Sequence, residues 1–270
     1  MTLRYGHGKP VHAELEALLE KKVAVYAGWL DTMLRFEPDY RAILEGHSPM
    51  NPDFYTGATL CFDCAAIHTM VSTIKPRKWV EVGSGHSTAF AMNAALMHSV
   101  YTRFEVVDPA AGEWISGFPQ CTVDRIWAND APVGIFTSLE PGDILFIDGS
   151  HVSNAGSDVA IMFLEVLPRL KPGVWVHVHD IFLPSDYPPE WGDNRQDYYT
   201  EQYMLALLLL MDKQNRYQVQ LPMYYCLNSP AFEGQVDRLK AIWKDGREPT
   251  GGPQTRWDLS GASFWMRIAQ

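Results

Sequence analysis

The sequence predicts an α/β fold with a mainly parallel sheet, and three observations point there. From Trp79 onward, short apolar runs alternate with longer segments of helical character. The first run turns through Gly83-Ser84-Gly85 straight into a helix start. Each of five successive runs is followed by an acidic residue, which sets a row of carboxylates along one sheet edge.

Ahead of the sheet, Leu15, Leu18, Leu19, Tyr26, Trp29, Leu30 and Met33 recur at helical spacing across residues 12–36. Lys22 is the one break in that stripe, and Pro38 closes the segment. Gly46, Pro49 and Pro52 then punctuate a loop from Tyr40 to Tyr55. A second helix is expected from Ala58 to Ile74, stopping before Pro76. Residues 1–75 thus read as a helical extension and 76–270 as the main domain.

Strands are expected at 79–82, 103–107, 123–127, 144–147 and 174–178, and helices at 88–98, 155–170 and 198–213. Two further apolar runs, at 217–227 and 263–268, close the sheet as a strand pair. A polar, Pro/Gly-rich stretch at 228–261 lies between them. Helices on both faces of such a sheet follow from the alternation.

Composition narrows the function. A chain of 270 residues with 47% hydrophobic content can bury a large single core. A net charge of -10 argues against a nucleic-acid partner. The longest apolar run, Leu205 to Met211, falls far short of the roughly 20 residues that cross a bilayer. With no apolar signal core at its start, the chain is expected to be soluble and cytoplasmic, without a membrane partner. Homo-oligomerisation stays open. Cys61-Phe62-Asp63-Cys64 has no second cysteine pair to complete a zinc site and falls inside a helix-like run, so it reads as small buried thiols.

The glycine turn carries the chemistry. Gly83 and Gly85 let the backbone bend sharply and approach a ligand. The helix start at Ser87 and Thr88 offers N–H groups to polar or anionic atoms. A third glycine is missing, so the turn is no dinucleotide fingerprint, and no Gly-Lys-Ser/Thr follows to make a P-loop. The acids arrive in order: Glu81 before the turn, Asp108 after the second strand, Asp130 after the third, Asp148 after the fourth and Asp180 after the fifth. Asp108 lies about 25 residues beyond the turn, where an acid can accept ribose hydroxyls. Capping of the next helix explains any one such Asp, but not the series.

These residues resemble a class I S-adenosylmethionine (SAM) dependent methyltransferase over roughly residues 76 to 268. The strings EVGSGHST, LFIDGSH, LKPGVWVHVHDIF and TEQYMLALLLL resemble a bacterial subgroup found near sugar and natural-product pathways. The resemblance implies a Rossmann-like seven-stranded sheet, mostly parallel, with one antiparallel strand near the C-terminus. It implies SAM as cofactor, with Glu81, Gly83, Ser84, Gly85, Ser87 and Thr88 at the methionine end, Asp108 on the ribose, Asp130 by the adenine and Asp148 beside them. His86 departs from the subgroup's small or aromatic residues.

Methyl transfer asks the protein to place a nucleophile and, for a hydroxyl, to remove its proton. Asp148, His151, His179 and Asp180 gather at one sheet edge as candidates. His177 and His179 share a strand face; His179 is nearer the strand end, and His177 reads as core. Asp148 and Asp180 also match the carboxylates that hold a divalent metal such as Mg2+ in some small-molecule O-methyltransferases, although Ile181 stands where a further ligand is usual. Residues 51–55, the loop 184–191 and Tyr198-Tyr199 are candidates for the acceptor pocket. The expected reaction is methylation of a small polar acceptor, a hydroxyl of a sugar or secondary metabolite. Alternatives are N- or C-methylation, a metal-dependent oxygenase or hydrolase on His151, His179 and Asp180, or a non-catalytic binding module.

Overall fold

The apolar runs at 79–82 and 144–147 become strands that are buried on both faces, the signature of a sheet covered by helices. The computed structural model describes residues 3–54, 59, 61–189, 191, 198–244 and 260–269. Its strands are β1 (Lys78–Val82), β2 (Arg103–Val107), β3 (Cys121–Asp124), β4 (Ile144–Ile147), β5 (Trp175–Val178), β6 (Tyr217–Pro222) and β7 (Phe264–Ile268). They form one sheet in the order β3-β2-β1-β4-β5-β7-β6. β1 pairs in parallel with both β2 and β4, while β7 runs antiparallel to β5 and β6. The chain steps outward from β1 to β3 and then crosses back to β4. That reversal opens a crevice at the carboxyl ends of β1 and β4.

The third strand lies two residues earlier than the sequence suggests. It pairs Phe104 with Cys121 and Val107 with Asp124, and exposed Trp127 is left beyond it. Pairing register, not apolar content, set its limits. The helix expected over 155–170 changes pitch along its length. It runs as an α-turn (Asp158–Ile161), a π-turn (Met162–Val166) and a 3-10 turn (Leu167–Arg169). Pro168 has no N–H and cannot continue an α ladder. The run at 217–227 is a strand only to Pro222, after which Met223–Asn228 is helical.

The N-terminal extension holds α1 (Ala13–Glu20), α2 (Val23–Arg35), α3 (Glu37–Leu44) and α4 (Cys61–Ile74). The single helical segment expected over residues 12–36 is divided in two at Lys21-Lys22. Pro38 starts α3 instead of ending a helix, because a first-turn proline loses no hydrogen bond. Part of the expected 40–55 loop is therefore helix. Every residue of α4 from Cys61 to Ser72 is buried, which accounts for its lack of a polar face. Cys61 and Cys64 are buried and form no disulfide, and burial pushes the Cys64 thiol up.

One row of rings runs across the sheet. Trp79 stacks on Phe146 at 5.0 Å, Phe146 on His177 at 3.8 Å, and His177 meets Trp265 at 4.8 Å. Side chains alternate along strands, so the same face continues past the strand ends to Gly83, Asp148 and His179. The core ridge thus leads directly to the crevice. Residues Tyr55, Ala58 and Glu190, and the stretch 245–259, lie outside the described residues. No helix among the described residues is long and apolar enough to cross a membrane.

Candidate active site

The two glycines of the turn have different physical reasons. Gly83 has φ +81°, and a Cβ there would stand 2.0 Å from the Asp148 carbonyl oxygen. Its N–H donates to the Val107 carbonyl at 3.1 Å, and the Asp148 N–H donates to Val82 at 3.0 Å. Gly83 is thus wedged between the ends of β2 and β4. Gly85 has φ +156°, and a Cβ there would meet nothing within 4 Å. It faces the open crevice.

Beneath the turn, Glu81 is fully buried. It accepts from the Trp79 indole at 3.0 Å and from the Ser87 hydroxyl at 2.6 Å. Burial raises its carboxyl pKa to about 7, against those hydrogen bonds. The Gly85 N–H donates to Thr88 Oγ1 at 3.0 Å, fixing the start of α5 (His86–Met97). Glu81, Ser87 and Thr88 therefore brace the turn from inside, while Ser84 and Gly85 present its outer side. Ser84 donates to Asp108 Oδ2 at 2.5 Å, and the Ala110 N–H donates to Oδ1 at 2.8 Å. Asp108 is thereby aimed at the same crevice. Asp130 sits exposed on the turn beyond β3, with the Asn129 amide 3.4 Å away. Asp124, not Asp130, is the acid at the end of β3.

Asp148, His151, His179 and Asp180 come together at the ends of β4 and β5. His151 and Asp180 hold left-handed backbone, φ +59° and +56°. Such positions cost about 1–3 kcal/mol in a non-glycine residue and cluster at functional sites. His151 is saturated: its Nδ1 lies 2.9 Å from Glu201 Oε2 and its Nε2 3.2 Å from Asp148 Oδ1. Burial alone would lower its pKa, but Asp148, Glu201 and Asp180 outweigh it and hold the imidazole well above its ordinary value. His151 thus sits among carboxyl groups that favour its charged form. Asp148 is held well below the usual carboxylate range, because His179 and His151 outweigh the effect of burial.

His179 differs. Its Nε2 is 3.6 Å from Asp180 Oδ1, within Coulombic reach but too long for a hydrogen bond. Burial would lower its pKa; Asp148, Asp180 and Asp63 raise it instead. His177, stacked on Phe146 and 2.9 Å from Ser263 Oγ, belongs to the core.

Two acids of this cluster escaped the sequence reading. Glu201 is fully buried at the start of the helix Glu201–Met211, and its Oε1 has no hydrogen-bond partner among the described residues. Asp63 is fully buried in α4, where it accepts the Ala262 N–H at 2.8 Å and the Ser263 N–H at 2.8 Å. For Asp63 the available signal was an acid inside an otherwise apolar helical run; Glu201, at a helix start, carried none.

Aromatic rings wall the other side. Tyr199 tilts against His151 with ring centres 4.5 Å apart, and Trp191 lies 5.4 Å from Tyr199. Tyr187 stacks on Trp191 at 6.1 Å, and Tyr198 is exposed. The N-terminal strand of chain straps this wall: the N–H groups of Arg4 and Tyr5 donate to Asp186 Oδ2 at 2.7 and 3.0 Å. Residues 51–54 are held differently, with Phe54 packed on Phe90 at 4.7 Å. Asp53 is near enough to His86 to act on its charge.

The crevice fits a cofactor with a polar end and a hydroxylated ring. Open space lies in front of Gly85, helix N–H groups line the turn, and Asp108 stands beyond it. The Asp148 and Asp180 pair does not fit Mg2+. His151 stands between them, with its Nε2 3.2 Å from one and 3.7 Å from the other, in the place of a hard cation. Nor do His151, His179 and Asp180 offer a two-His, one-carboxylate site, since both nitrogens of His151 already face carboxylates.

Residues 80–181 match a family model described as a methyltransferase domain. That span contains every predicted site residue from Glu81 to Asp180. Among solved structures, the plantazolicin methyltransferase BamL, bound to a triazolic desmethylPZN analog and SAH, is similar at 12% identity. It covers 95% of this chain and 100% of its own, with TM-score 0.46. The SAH-bound methyltransferase PaMTH1 of Podospora anserina is 13% identical, with 98% and 100% coverage and TM-score 0.41. An O-methyltransferase from Bacillus cereus in complex with SAH is 14% identical, with 90% and 91% coverage and TM-score 0.38. No curated protein matches the chain by sequence.

Proposed function

We propose that this chain, whose residues 80–181 match a methyltransferase-domain model, is a class I methyltransferase that binds SAM in the crevice at Gly83–Gly85 and methylates a hydroxyl of a small polar acceptor such as a sugar or secondary metabolite. Ser84, Gly85 and the first turn of α5 hold the cofactor's methionine end, and Asp108 takes its ribose. Asp130, which is exposed, would meet the adenine from the rim. When bound, SAM supplies an electrophilic methyl carbon on a good leaving group.

The residues of this chain then need only hold the acceptor and accept one proton. The observation that supports the assignment is the inequality of the two histidines. His151 is bonded at both nitrogens and orients Asp148. His179 has no hydrogen-bond partner at Nδ1 among the described residues and holds its Nε2 3.6 Å from Asp180 Oδ1, so its imidazole is the base. The imidazolium it becomes is stabilised by Asp148 and Asp180. The rings of Tyr187, Trp191 and Tyr199 wall the acceptor site and exclude water.

One observation favours a second reading, transfer to an amine nitrogen: carboxylates beside aromatic rings also suit a cationic acceptor. Methylation of a panel of alcohols and amines separates the two.

Calorimetry with SAM tests the cofactor assignment. Micromolar binding is expected, weakened at least about tenfold in Asp108→Ala. His179→Ala should bind SAM as the parent does, yet lose about 10²–10⁴ in kcat. Failure to bind SAM at all refutes the cofactor site; full activity in His179→Ala refutes the base.

A further inference from the structure

We propose that Asp39, His68 and His98 form a binding site for one Zn2+ ion, remote from the crevice, that clamps the N-terminal extension to the helix following the glycine turn. The three residues come from three helices: Asp39 from the first turn of α3, His68 from the buried middle of α4, and His98 from the C-terminal cap of α5. Their ligand atoms lie within 4.8 Å of one another, and no other such group of His, Cys, Asp or Glu occurs among the described residues.

The geometry is convergent. His68 Nε2 lies 3.0 Å from Asp39 Oδ2, and His98 Nε2 lies 2.7 Å from the same oxygen. Two imidazoles thus aim their distal nitrogens at one point beside one carboxylate. Zn2+ binds imidazole nitrogen and carboxylate oxygen at about 2.0–2.2 Å, which sets tetrahedral ligand atoms about 3.3 Å apart. Spreading the observed contacts to that separation takes only about half an ångström. Imidazole-rich sets select zinc and its neighbours over magnesium or calcium.

The surroundings suit an ion. Phe36 packs edge-on to both rings, 5.5 Å from His68 and 5.4 Å from His98. Tyr40 closes a further side of His68 at 5.6 Å. His68 is fully buried, and its Nδ1 has no hydrogen-bond partner among the described residues, so Nε2 is its single polar outlet. His98 and Asp39 remain 29% and 22% exposed, which leaves an entry path and a position for water as fourth ligand.

The role is structural. A metal here ties α3 and α4 to the end of α5, whose beginning carries the glycine turn. The rival account is a hydrogen-bonded triad in which both histidines simply share the Asp39 carboxylate.

Zn2+ titration of the chelator-stripped full chain decides between them, with Co2+ as a spectroscopic probe. We expect one Zn2+ per chain, a rise in melting temperature with added Zn2+, and visible Co2+ bands of a four-coordinate site. His98→Gln and Asp39→Asn, both at partly exposed positions, should each weaken Zn2+ at least about tenfold and abolish the melting shift. Melting of the metal-free variants beside the metal-free parent shows that they are folded. A parent that takes up no stoichiometric Zn2+ overturns the site, and so does uptake that survives both substitutions.

Discussion

At the scale of single residues, charge decides the chemistry. His179 carries a pKa raised above its ordinary 6.5, since Asp148, Asp180 and Asp63 outweigh burial. A base must lose its proton to work, so the methyl-transfer rate should rise with pH through a midpoint above 6.5. Asp180→Asn removes one of the raising charges and should move that midpoint downward. A pH profile unchanged by Asp180→Asn would show that another group titrates. Glu201 acts through His151. Because His151 has a folded-state pKa well above its unfolded value, its pairing stabilises the fold below about pH 6.5 and fades as pH rises through the folded value. Glu201→Gln should therefore cost about 3 kcal/mol near pH 6.5 and less near pH 10, read from denaturant unfolding at both values.

At the scale of elements, the glycine turn does two separable jobs. Gly83 lets β1 and β4 close on each other, since a Cβ on it would stand 2.0 Å from the Asp148 carbonyl oxygen. Gly85 keeps space open in front of the helix start. Gly83→Ala should cost about 2–3 kcal/mol of stability from the clash with backbone. Gly85→Ala should cost only about 1–2 kcal/mol of backbone strain while weakening SAM at least about tenfold. Unfolding curves and SAM calorimetry on the two variants check this. Equal losses of stability would mean that both glycines serve packing alone.

At the scale of the whole molecule, the extension is part of the site. Asp63 of α4 holds residues 262 and 263 at the start of β7, and its charge reaches His179. The first residues strap the 184–187 loop through Asp186. Removal of residues 1–9 should raise the acceptor KM about tenfold and leave SAM affinity within about twofold, because the strap touches the aromatic wall and not the glycine turn. An unchanged KM would assign the strap to stability only. The strand succession, the glycine turn and the acids Asp108, Asp148 and Asp180 just past their strands are legible in the chain, because they are local: periodicity, backbone freedom and position after a strand are written in neighbouring residues. The sequence misplaced β3 by two residues and took Pro38 for a helix end, where pairing register and first-turn geometry decide. Only the tertiary structure separated His151 from His179, since their roles depend on Glu201, fifty residues beyond one of them, and on Asp63, in a helix that precedes the sheet. It also turned a presumed magnesium pair into an ion-paired histidine cluster. Burial and long-range charge set those assignments, and neither can be read from a residue's neighbours in the chain.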